Sequence, residues 1–301
     1  MAGSSSPEEP AQVPPGRSIE LPGRGTAFVR EAPGPPGAPT MILLHAFAAT
    51  AGINWFTAFE HLARRFRVLA LDLRGHGRGV RSRERFRFTD CADDTAALAA
   101  ELGVRSAIVG GYSMGGPIAQ LLWKRHRPLV EGLVLAATSY RFLHDAQARI
   151  LVTSAVGALA QATRLAELAA RVPLAGLRLL IPTLVPASGS VGRWGAEEIR
   201  RHSLRAVIEA GAEIGSYNAE PWIGTIDVPT AVVLTTHDRA VDPIWQLRLA
   251  RAIRGASVHT VADGHVACGH SLFGQVFAEA CGEIADRVAR DRNQQQACRT
   301  C

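Results

Sequence analysis

Residues 110–116 read Gly-Gly-Tyr-Ser-Met-Gly-Gly and follow an apolar run at residues 107–109. The stretch fits the pattern G-x-S-x-G, in which a strand turns sharply into a helix. Glycine two positions before and two positions after Ser113 removes side chains that such a turn could not accommodate. The turn would present the Ser113 hydroxyl above the sheet, beside free N–H groups at the start of the following helix. Ser113 is therefore the candidate nucleophile, and the alternative is a glycine-rich turn with an incidental serine.

Short apolar runs alternate with helical patterns along most of the chain. The sequence predicts a hairpin at residues 18–31 and six further strands, at residues 41–44, 68–73, 106–109, 132–136, 230–235 and 257–261. Helices are predicted at residues 55–66, 90–102, 114–126 and 271–290, with another after residues 242–243. Strands that alternate with helices indicate the α/β class, with a mostly parallel sheet and helices on both faces.

The alternation stops at residues 139–224, where the pattern is helical and no strand is predicted. We interpret this segment as a helical cap, inserted into a core of residues 18–138 and 225–290. The cap is expected over the carboxyl edge of the sheet, where α/β proteins bind ligands. The alternative is a helical layer without a binding role. Residues 1–17 and 291–301 are polar and are expected to be disordered.

The 301-residue chain carries a formal net charge of +6, and Lys124 is its only lysine. Because the arginines are scattered, we interpret this charge as a solvated surface rather than as a face that binds nucleic acid or anionic lipid. A local run of arginines at residues 74–87 is interpreted as a solvated loop that could contact an acidic substrate. The five cysteines predict no disulfide framework, and Cys298 with Cys301 offers at most half of a zinc site.

The sequence shows no targeting or membrane-spanning pattern. Its first residues lack a basic start followed by an apolar core, and no uninterrupted apolar run reaches the roughly 18 residues of a membrane span. We therefore expect a cytoplasmic protein with no membrane span and no nucleic acid as a partner. The sequence indicates no cofactor and no metal, and it does not specify the oligomeric state.

A serine hydroxyl needs a base to become a nucleophile. His265 and His270 both follow the last predicted strand, and His265 is favoured because it comes almost directly after that strand. Asp238 and Asp242 both follow the strand at residues 230–235. Asp242 already enters a helix as a candidate N-cap, so Asp238 is favoured as the acid that orients the imidazole.

Four features together resemble the α/β-hydrolase superfamily, specifically its capped members, over residues 20–290. Two of them are the G-x-S-x-G turn and the order of nucleophile, acid and base along the chain. Residues 43–47 (LLHAF) resemble the His-Gly-X turn of these proteins, and residues 72–77 (DLRGHG) resemble their D-x-R-G-H-G turn. All four in order are specific to the fold, and they are much less specific to a substrate.

The resemblance implies roles for individual residues. Ser113 matches the nucleophile, Asp238 the acid and His265 the base, and the backbone N–H groups of Phe47 and Met114 match the oxyanion hole. Two-step acyl transfer is implied, in which the imidazole deprotonates the serine and water later hydrolyses an acyl-enzyme. Serine at the turn argues against the related dehalogenases and epoxide hydrolases, which need aspartate at that position.

The chain departs from the family pattern at Ala46, where glycine is usual. Alanine narrows the backbone conformations that the loop can adopt, which bears on the Phe47 donor and not on the triad. His45 is a candidate pocket residue, although we favour a role in bracing its loop. His76 is likewise interpreted as a turn residue.

The substrate is suggested only by the predicted cap, which is rich in alanine, leucine and valine. Candidate pocket residues in it are Phe142, Trp194, Tyr217 and Trp222, with the alternative that each packs the cap onto the core. An apolar roof suits a lipophilic ester, so the sequence predicts a carboxylesterase or lipase-like serine hydrolase. Thioesterases, carbon–carbon bond hydrolases, haloperoxidases and acyltransferases share this apparatus and stay open, as does a non-catalytic ligand-binding protein of the same fold.

Overall fold

The computed structural model describes residues 12–143, 159, 161 and 189–300. The described strands are β1 (Gly16–Leu21), β2 (Gly25–Ala32), β3 (Thr40–Leu44), β4 (Arg67–Leu71), β5 (Ala107–Tyr112), β6 (Val130–Ala136), β7 (Thr230–Thr235) and β8 (Ser257–Val261). They form one sheet in the order β1-β2-β4-β3-β5-β6-β7-β8. The pairs β1–β2 and β2–β4 are antiparallel and the other five are parallel, so the predicted mostly parallel sheet is confirmed.

The described α-helices are α1 (Ala51–Trp55), α2 (Phe59–Ala63), α3 (Phe88–Glu101), α4 (Gly115–Arg125), α5 (Gly189–Arg200), α6 (Leu204–Ser216), α7 (Pro243–Ala252) and α8 (Ser271–Thr300). Helices α3, α4 and α7 pack on one face of the sheet, and α1, α2 and α8 pack on the other. Successive residues of β3 face these two layers in turn, as the two-residue period of a strand requires. Over the described ranges, no helix is both long and apolar enough to cross a membrane.

The helix predicted at residues 55–66 is interrupted, although the large apolar side chains at its helical spacing, Trp55, Phe59, Leu62 and Phe66, are all buried. Two short helices, α1 and α2, flank a turn at Thr57. The Thr57 hydroxyl donates to Cys268 O at 2.8 Å, and a Cβ on Gly274 of α8 would lie 2.0 Å from Thr57 O. The single-helix prediction is wrong because this segment must bend to accept α8.

The ends of the chain are more regular than predicted. Within residues 1–17, β1 has already begun, because it pairs with β2 along its whole length; residues 1–11 lie outside the described part. Helix α8 continues past residue 290 to Thr300. Arg292 in this extension forms an ion pair with Glu131 of β6. Disorder was therefore the wrong expectation for residues 291–300.

The described part of segment 139–224 contains α5 and α6, which contact the loop that follows β4. The backbone N–H of Ser203 donates to Gly75 O at 2.9 Å, and the N–H of Gly77 donates to His202 Nδ1 at 2.8 Å. Since β4 belongs to the parallel part of the sheet, these contacts place the start of α6 at the carboxyl edge.

The arginine-rich loop at residues 74–87 connects β4 to α3 and contacts α5 through a side chain. It is only partly exposed to solvent. Arg74 is buried, and its guanidinium donates two hydrogen bonds, of 2.8 and 2.7 Å, to Asp94. Arg78 donates to the buried carboxylate of Glu198 on α5 at 2.9 Å. The expectation of a solvated loop is wrong for Arg74, because its side chain is buried. The ion pair with Asp94 supplies the opposite charge that a buried guanidinium needs.

Candidate active site

Ser113 lies between β5 and α4 with a φ of 50°, a left-handed conformation that is unusual for a residue with a side chain. Its N–H donates to Ala136 O at 2.9 Å, and its carbonyl accepts from Thr138 Oγ1 at 2.7 Å. A Cβ on Gly111 would lie 2.4 Å from Gly115 O. The turn is therefore closed by backbone packing and held by the neighbouring strand.

Three polar side chains meet at the carboxyl edge of the sheet in a continuous hydrogen-bonded row. Ser113 Oγ lies 2.9 Å from His265 Nε2, and His265 Nδ1 lies 2.8 Å from Asp238 Oδ2. Ser113 and Asp238 are buried, whereas the His265 side chain is 26% exposed. The row therefore runs from an enclosed carboxylate to an imidazole that is open to solvent.

The Asp238 carboxylate is held by backbone and side-chain donors. Its Oδ1 accepts from the N–H groups of Ala240 and Val241, and its Oδ2 accepts from Thr235 Oγ1 at 2.8 Å. Burial alone would raise the pKa of Asp238, but the hydrogen bond with His265 and these donors lower it below its ordinary value. An ionised carboxylate only accepts hydrogen bonds, so His265 carries its proton on Nδ1 and offers Nε2 as an acceptor to the serine hydroxyl.

The competing candidates for base and acid lie outside this row. His270 is exposed and pairs with Asp263. Asp242 caps α7, with its Oδ1 accepting from Ile244 N at 2.8 Å. The structure therefore brings His265 and Asp238 to the serine, and it gives His270 and Asp242 other partners.

The two candidate oxyanion donors stand at the ends of adjacent strands. Phe47 lies in the loop after β3, and Met114 directly precedes α4. Within residues 12–143 and 189–300, no protein group accepts a hydrogen bond from either N–H. The left-handed conformation in the loop after β3 falls on Ala48, with a φ of 52°, and not on Ala46. Alanine is accommodated at position 46 for that reason.

Ala46 is held at both of its backbone polar groups. Its N–H donates to Asn54 Oδ1 at 2.9 Å, and its carbonyl accepts from His45 Nδ1 at 2.7 Å. His45 Nε2 accepts from Leu73 N at 2.9 Å, and burial lowers the pKa of His45 to about 3, so the ring is neutral. With both nitrogens engaged and the ring buried, His45 braces two loops and does not line a pocket. His76 is likewise buried, with Nδ1 donating to the carbonyl two residues earlier at 3.1 Å.

The aromatic residues expected to line a pocket make packing contacts between the described part of segment 139–224 and the rest of the chain. Trp194 is buried and contacts the position of Gly52 in α1. Trp222 stacks on Trp123 of α4, with 6.3 Å between the ring centres. Tyr217 donates to Gln120 Oε1 at 2.9 Å. Trp194 therefore acts as a packing residue. Tyr217 and Trp222 also line an open surface pocket together with Phe88 and Leu121, and their contact with a substrate stays a prediction.

Phe142 is half-buried, and the expectation that it lines the pocket stays a prediction. Two exposed apolar side chains follow residues of the polar row closely in sequence. Val266 follows His265 directly and is 55% exposed, and Ile244, six residues after Asp238, is 47% exposed. Exposed apolar residues beside both loops favour contact with an apolar ligand.

Sequence reasoning missed two residues that support the row. Tyr112 donates its hydroxyl to His265 O at 2.9 Å, and its ring is buried. Gln246 Nε2 donates to Asp238 Oδ2 at 3.2 Å from a buried position on α7. The position of Tyr112 beside Ser113 is a usable signal, whereas nothing local distinguishes Gln246 from other polar helix residues.

In the part of the chain that the structure describes, no three His, Cys, Asp or Glu side chains lie close enough together to bind a metal ion. Cys91, Cys268 and Cys281 are free thiols. Cys298 lies in α8, and Cys301 lies outside the described residues.

The chain is similar in sequence and in fold to several known proteins. The chain is 31% identical over 212 residues to the pimeloyl-[acyl-carrier protein] methyl ester esterase of Chromobacterium violaceum, covering 68% of this chain and 78% of the relative. It is 27% identical over 245 residues to the magnesium-chelatase 30 kDa subunit of Rhodobacter capsulatus, covering 77% of this chain and 82% of the relative. A solved hydrolase from Pseudomonas aeruginosa superposes with a TM-score of 0.72 at 22% identity, covering 90% of this chain and 98% of that chain, so the two share a fold.

A family model described as the alpha/beta hydrolase fold matches residues 39–271, which include the serine turn, both loops that carry the other polar groups, and the inserted segment. The strand order, the turn at Ser113 and this match agree with the resemblance drawn from the motifs. The chain belongs to the α/β-hydrolase family.

Proposed function

We propose that this protein is a serine hydrolase that cleaves carboxylic esters of lipophilic small molecules. Ser113 is the nucleophile, His265 the general base, and Asp238 the acid that orients the imidazole. The observation that carries the proposal is the unbroken row of hydrogen bonds, 2.9 Å from Ser113 Oγ to His265 Nε2 and 2.8 Å from Nδ1 to Asp238 Oδ2. A nucleophile, a base and an orienting group in hydrogen-bond contact are the minimum set for acyl transfer by a hydroxyl.

The reaction has two stages: the acyl group is first transferred to Ser113, and water then removes it. The Ser113 hydroxyl gives its proton to His265 Nε2 as Oγ attacks the ester carbonyl. The imidazolium then returns the proton to the leaving alcohol, and an acyl-enzyme remains. Water repeats the sequence on the acyl group and releases the acid. The negative charge of Asp238 stabilises the imidazolium at both stages.

The oxyanion that forms at each attack is stabilised by the N–H groups of Phe47 and Met114. Each donor in comparable sites contributes roughly 3 kcal/mol to the stability of the transition state. The start of α4 adds the partial positive charge of the helix dipole. The main stabilisation of the transition state therefore comes from backbone dipoles that are already in place.

The proposed substrate class rests on two further observations. The Chromobacterium violaceum relative is named as a methyl ester esterase, which supports a carboxylic ester as the bond that is cleaved. Val266 and Ile244 expose apolar surface beside the loops of His265 and Asp238, which supports a lipophilic acyl or alcohol group.

Hydrolysis of p-nitrophenyl esters of graded acyl chain length tests the proposal, with Ser113→Ala as the blank. We expect turnover by the wild-type protein that rises with chain length over the shorter esters, and no turnover by the variant above background. Equal rates for the two proteins would refute it.

Labelling by a fluorophosphonate probe separates an enzyme from a ligand-binding protein of the same fold. We expect the probe to attach to Ser113 in the wild-type protein and to leave Ser113→Ala unlabelled. Tight binding of a lipophilic ester without labelling would instead identify a binding protein. Labelling without hydrolysis of any oxygen ester would direct attention to thioesters or acyl transfer.

A further inference from the structure

The oxyanion loop, residues 45–50, contains an alanine where related proteins use glycine, and a buried amide contacts that alanine. We propose that Asn54 is a positioning residue for the oxyanion hole, because its side chain fixes the peptide group directly before the one that carries the Phe47 N–H. The inference rests on the proposed function, and it adds a residue outside the triad and outside both donors.

Two successive peptide groups of the loop are fixed by side chains. Asn54 Oδ1 accepts from Ala46 N at 2.9 Å, and His45 Nδ1 donates to Ala46 O at 2.7 Å. In a trans peptide the carbonyl of one residue and the N–H of the next point in opposite directions. The direction of Ala46 C=O therefore sets the direction of the Phe47 N–H, and Asn54 fixes the peptide that precedes it.

The loop needs this support because its backbone is strained one step later. Ala48 is buried and has a φ of 52°, a conformation that glycine adopts readily and alanine does not. Such a residue persists only where its surroundings determine its conformation. Asn54 can provide this support because α1 is itself anchored: Thr50 Oγ1 accepts from Ile53 N, and Asp72 Oδ1 accepts from Ala51 N at 2.9 Å.

Packing alone does not account for an asparagine at this position. The side chain is completely buried, and in the described part of the chain no protein group accepts a hydrogen bond from its Nδ2. A leucine of similar shape would leave no amide nitrogen in that position. The atom that the protein uses is therefore Oδ1, and its single partner is the N–H of Ala46.

Two substitutions separate positioning from stability. Asn54→Leu keeps the shape and removes the acceptor, so we expect kcat for a p-nitrophenyl ester to fall by at least about 10-fold. Full loss of one donor, about 10²- to 10³-fold, is the upper bound. KM should change less than about twofold, because the oxyanion contact strengthens only in the transition state. Asn54→Asp keeps an acceptor oxygen and should retain most of kcat, although a buried carboxyl group lowers its stability.

The affinity of a trifluoromethyl ketone inhibitor distinguishes positioning of the oxyanion hole from a purely structural role of Asn54. The ketone forms a tetrahedral adduct with the serine, so in Asn54→Leu its affinity should fall by the same factor as kcat/KM. Rates are expressed per active site, counted by fluorophosphonate titration. The matched control is Thr95→Val, which removes a buried hydroxyl that donates to Cys91 O on α3, remote from the loop, and should leave kcat unchanged.

The proposal is overturned if Asn54→Leu keeps kcat per active site within twofold of the wild-type value. It is also overturned if ketone affinity is unchanged while kcat falls, or if Asn54→Asp loses as much activity as Asn54→Leu. A wild-type protein that neither hydrolyses esters nor reacts with the probe would instead refute the proposed function, and this inference with it. An active wild type with an active Asn54→Leu refutes this inference alone.

Discussion

Replacing Gly111 with alanine tests whether backbone packing at the turn sets the position of the nucleophile. The added Cβ would lie 2.4 Å from Gly115 O and 2.8 Å from Gly116 N, and both are backbone atoms. Ordinary contact begins near 3.4 Å, so the first turn of α4 must move by about 1 Å. That turn follows Ser113 directly, so the hydroxyl is expected to move with it.

A shift of this size is enough to break the contact with the base. The distance from Ser113 Oγ to His265 Nε2 is 2.9 Å, and about 1 Å more takes it beyond hydrogen-bond range. A misplacement of 1 Å costs about 100-fold in rate, so kcat/KM for p-nitrophenyl ester hydrolysis should fall by about that factor. Overpacking should also lower the free energy of unfolding by about 1–3 kcal/mol, measured by urea denaturation.

The matched control is Gly282→Ala, the same substitution in α8. Its Cβ would meet only the end of the flexible Arg65 side chain, at 3.3 Å, so activity should be unchanged. Alanine is also the better helix former, so stability should be equal or higher. A folded Gly111→Ala protein with kcat/KM within threefold of the wild-type value would refute the argument that close backbone packing at the turn places Ser113.

Three further changes test other contacts. Asp238→Asn keeps the shape of the acid but removes the charge that orients the imidazole, so kcat should fall by about 10³- to 10⁴-fold in ester hydrolysis. His202 accepts from the Gly77 N–H, and burial lowers its pKa from 6.5 to about 4. The unfolded chain binds this proton more readily, so stability is complete above pH 6.5 and falls towards pH 4, by roughly 3 kcal/mol in urea titrations. Asp94→Asn leaves the buried Arg74 with a weaker partner and should lower the free energy of unfolding by about 3 kcal/mol.

Each of these changes has a comparison that can contradict it. His202→Asn keeps an acceptor without a titrating ring, and an undiminished loss of stability between pH 6.5 and pH 4 would show that another group is responsible. Glu60→Gln removes an exposed ion pair with Arg64 and should cost less than about 1 kcal/mol, so an equal effect of Asp94→Asn would contradict the burial argument. An Asp238→Asn protein with wild-type kcat would remove that residue from the proposed mechanism.

The strands and the serine turn could be predicted because their signals are local. Mostly apolar runs of four to six residues mark five of the strands, and glycines two positions either side of Ser113 mark the sharp turn. The single helix predicted at residues 55–66 failed because it bends at Thr57, where Gly274 of α8, more than 200 residues along the chain, packs closely against the backbone. The solvated loop predicted at residues 74–87 failed for Arg74 in the same way, since its partner on α3 has no signal near the arginine.

The candidate site divides along the same line. Residue type and chain order narrowed the base to His265 or His270 and the acid to Asp238 or Asp242, and position after the strand favoured His265 and Asp238. Choosing between them needs the distance across the sheet edge, since a hydrogen bond is made only within about 3 Å and the base lies 152 residues from Ser113 in sequence. The hydrogen bond from Ala46 N to Asn54 Oδ1 likewise has no signal in the sequence and is visible only in the folded chain. Local sequence encodes which chemical groups stand at the ends of the strands, and packing of distant segments determines which of those groups come into contact.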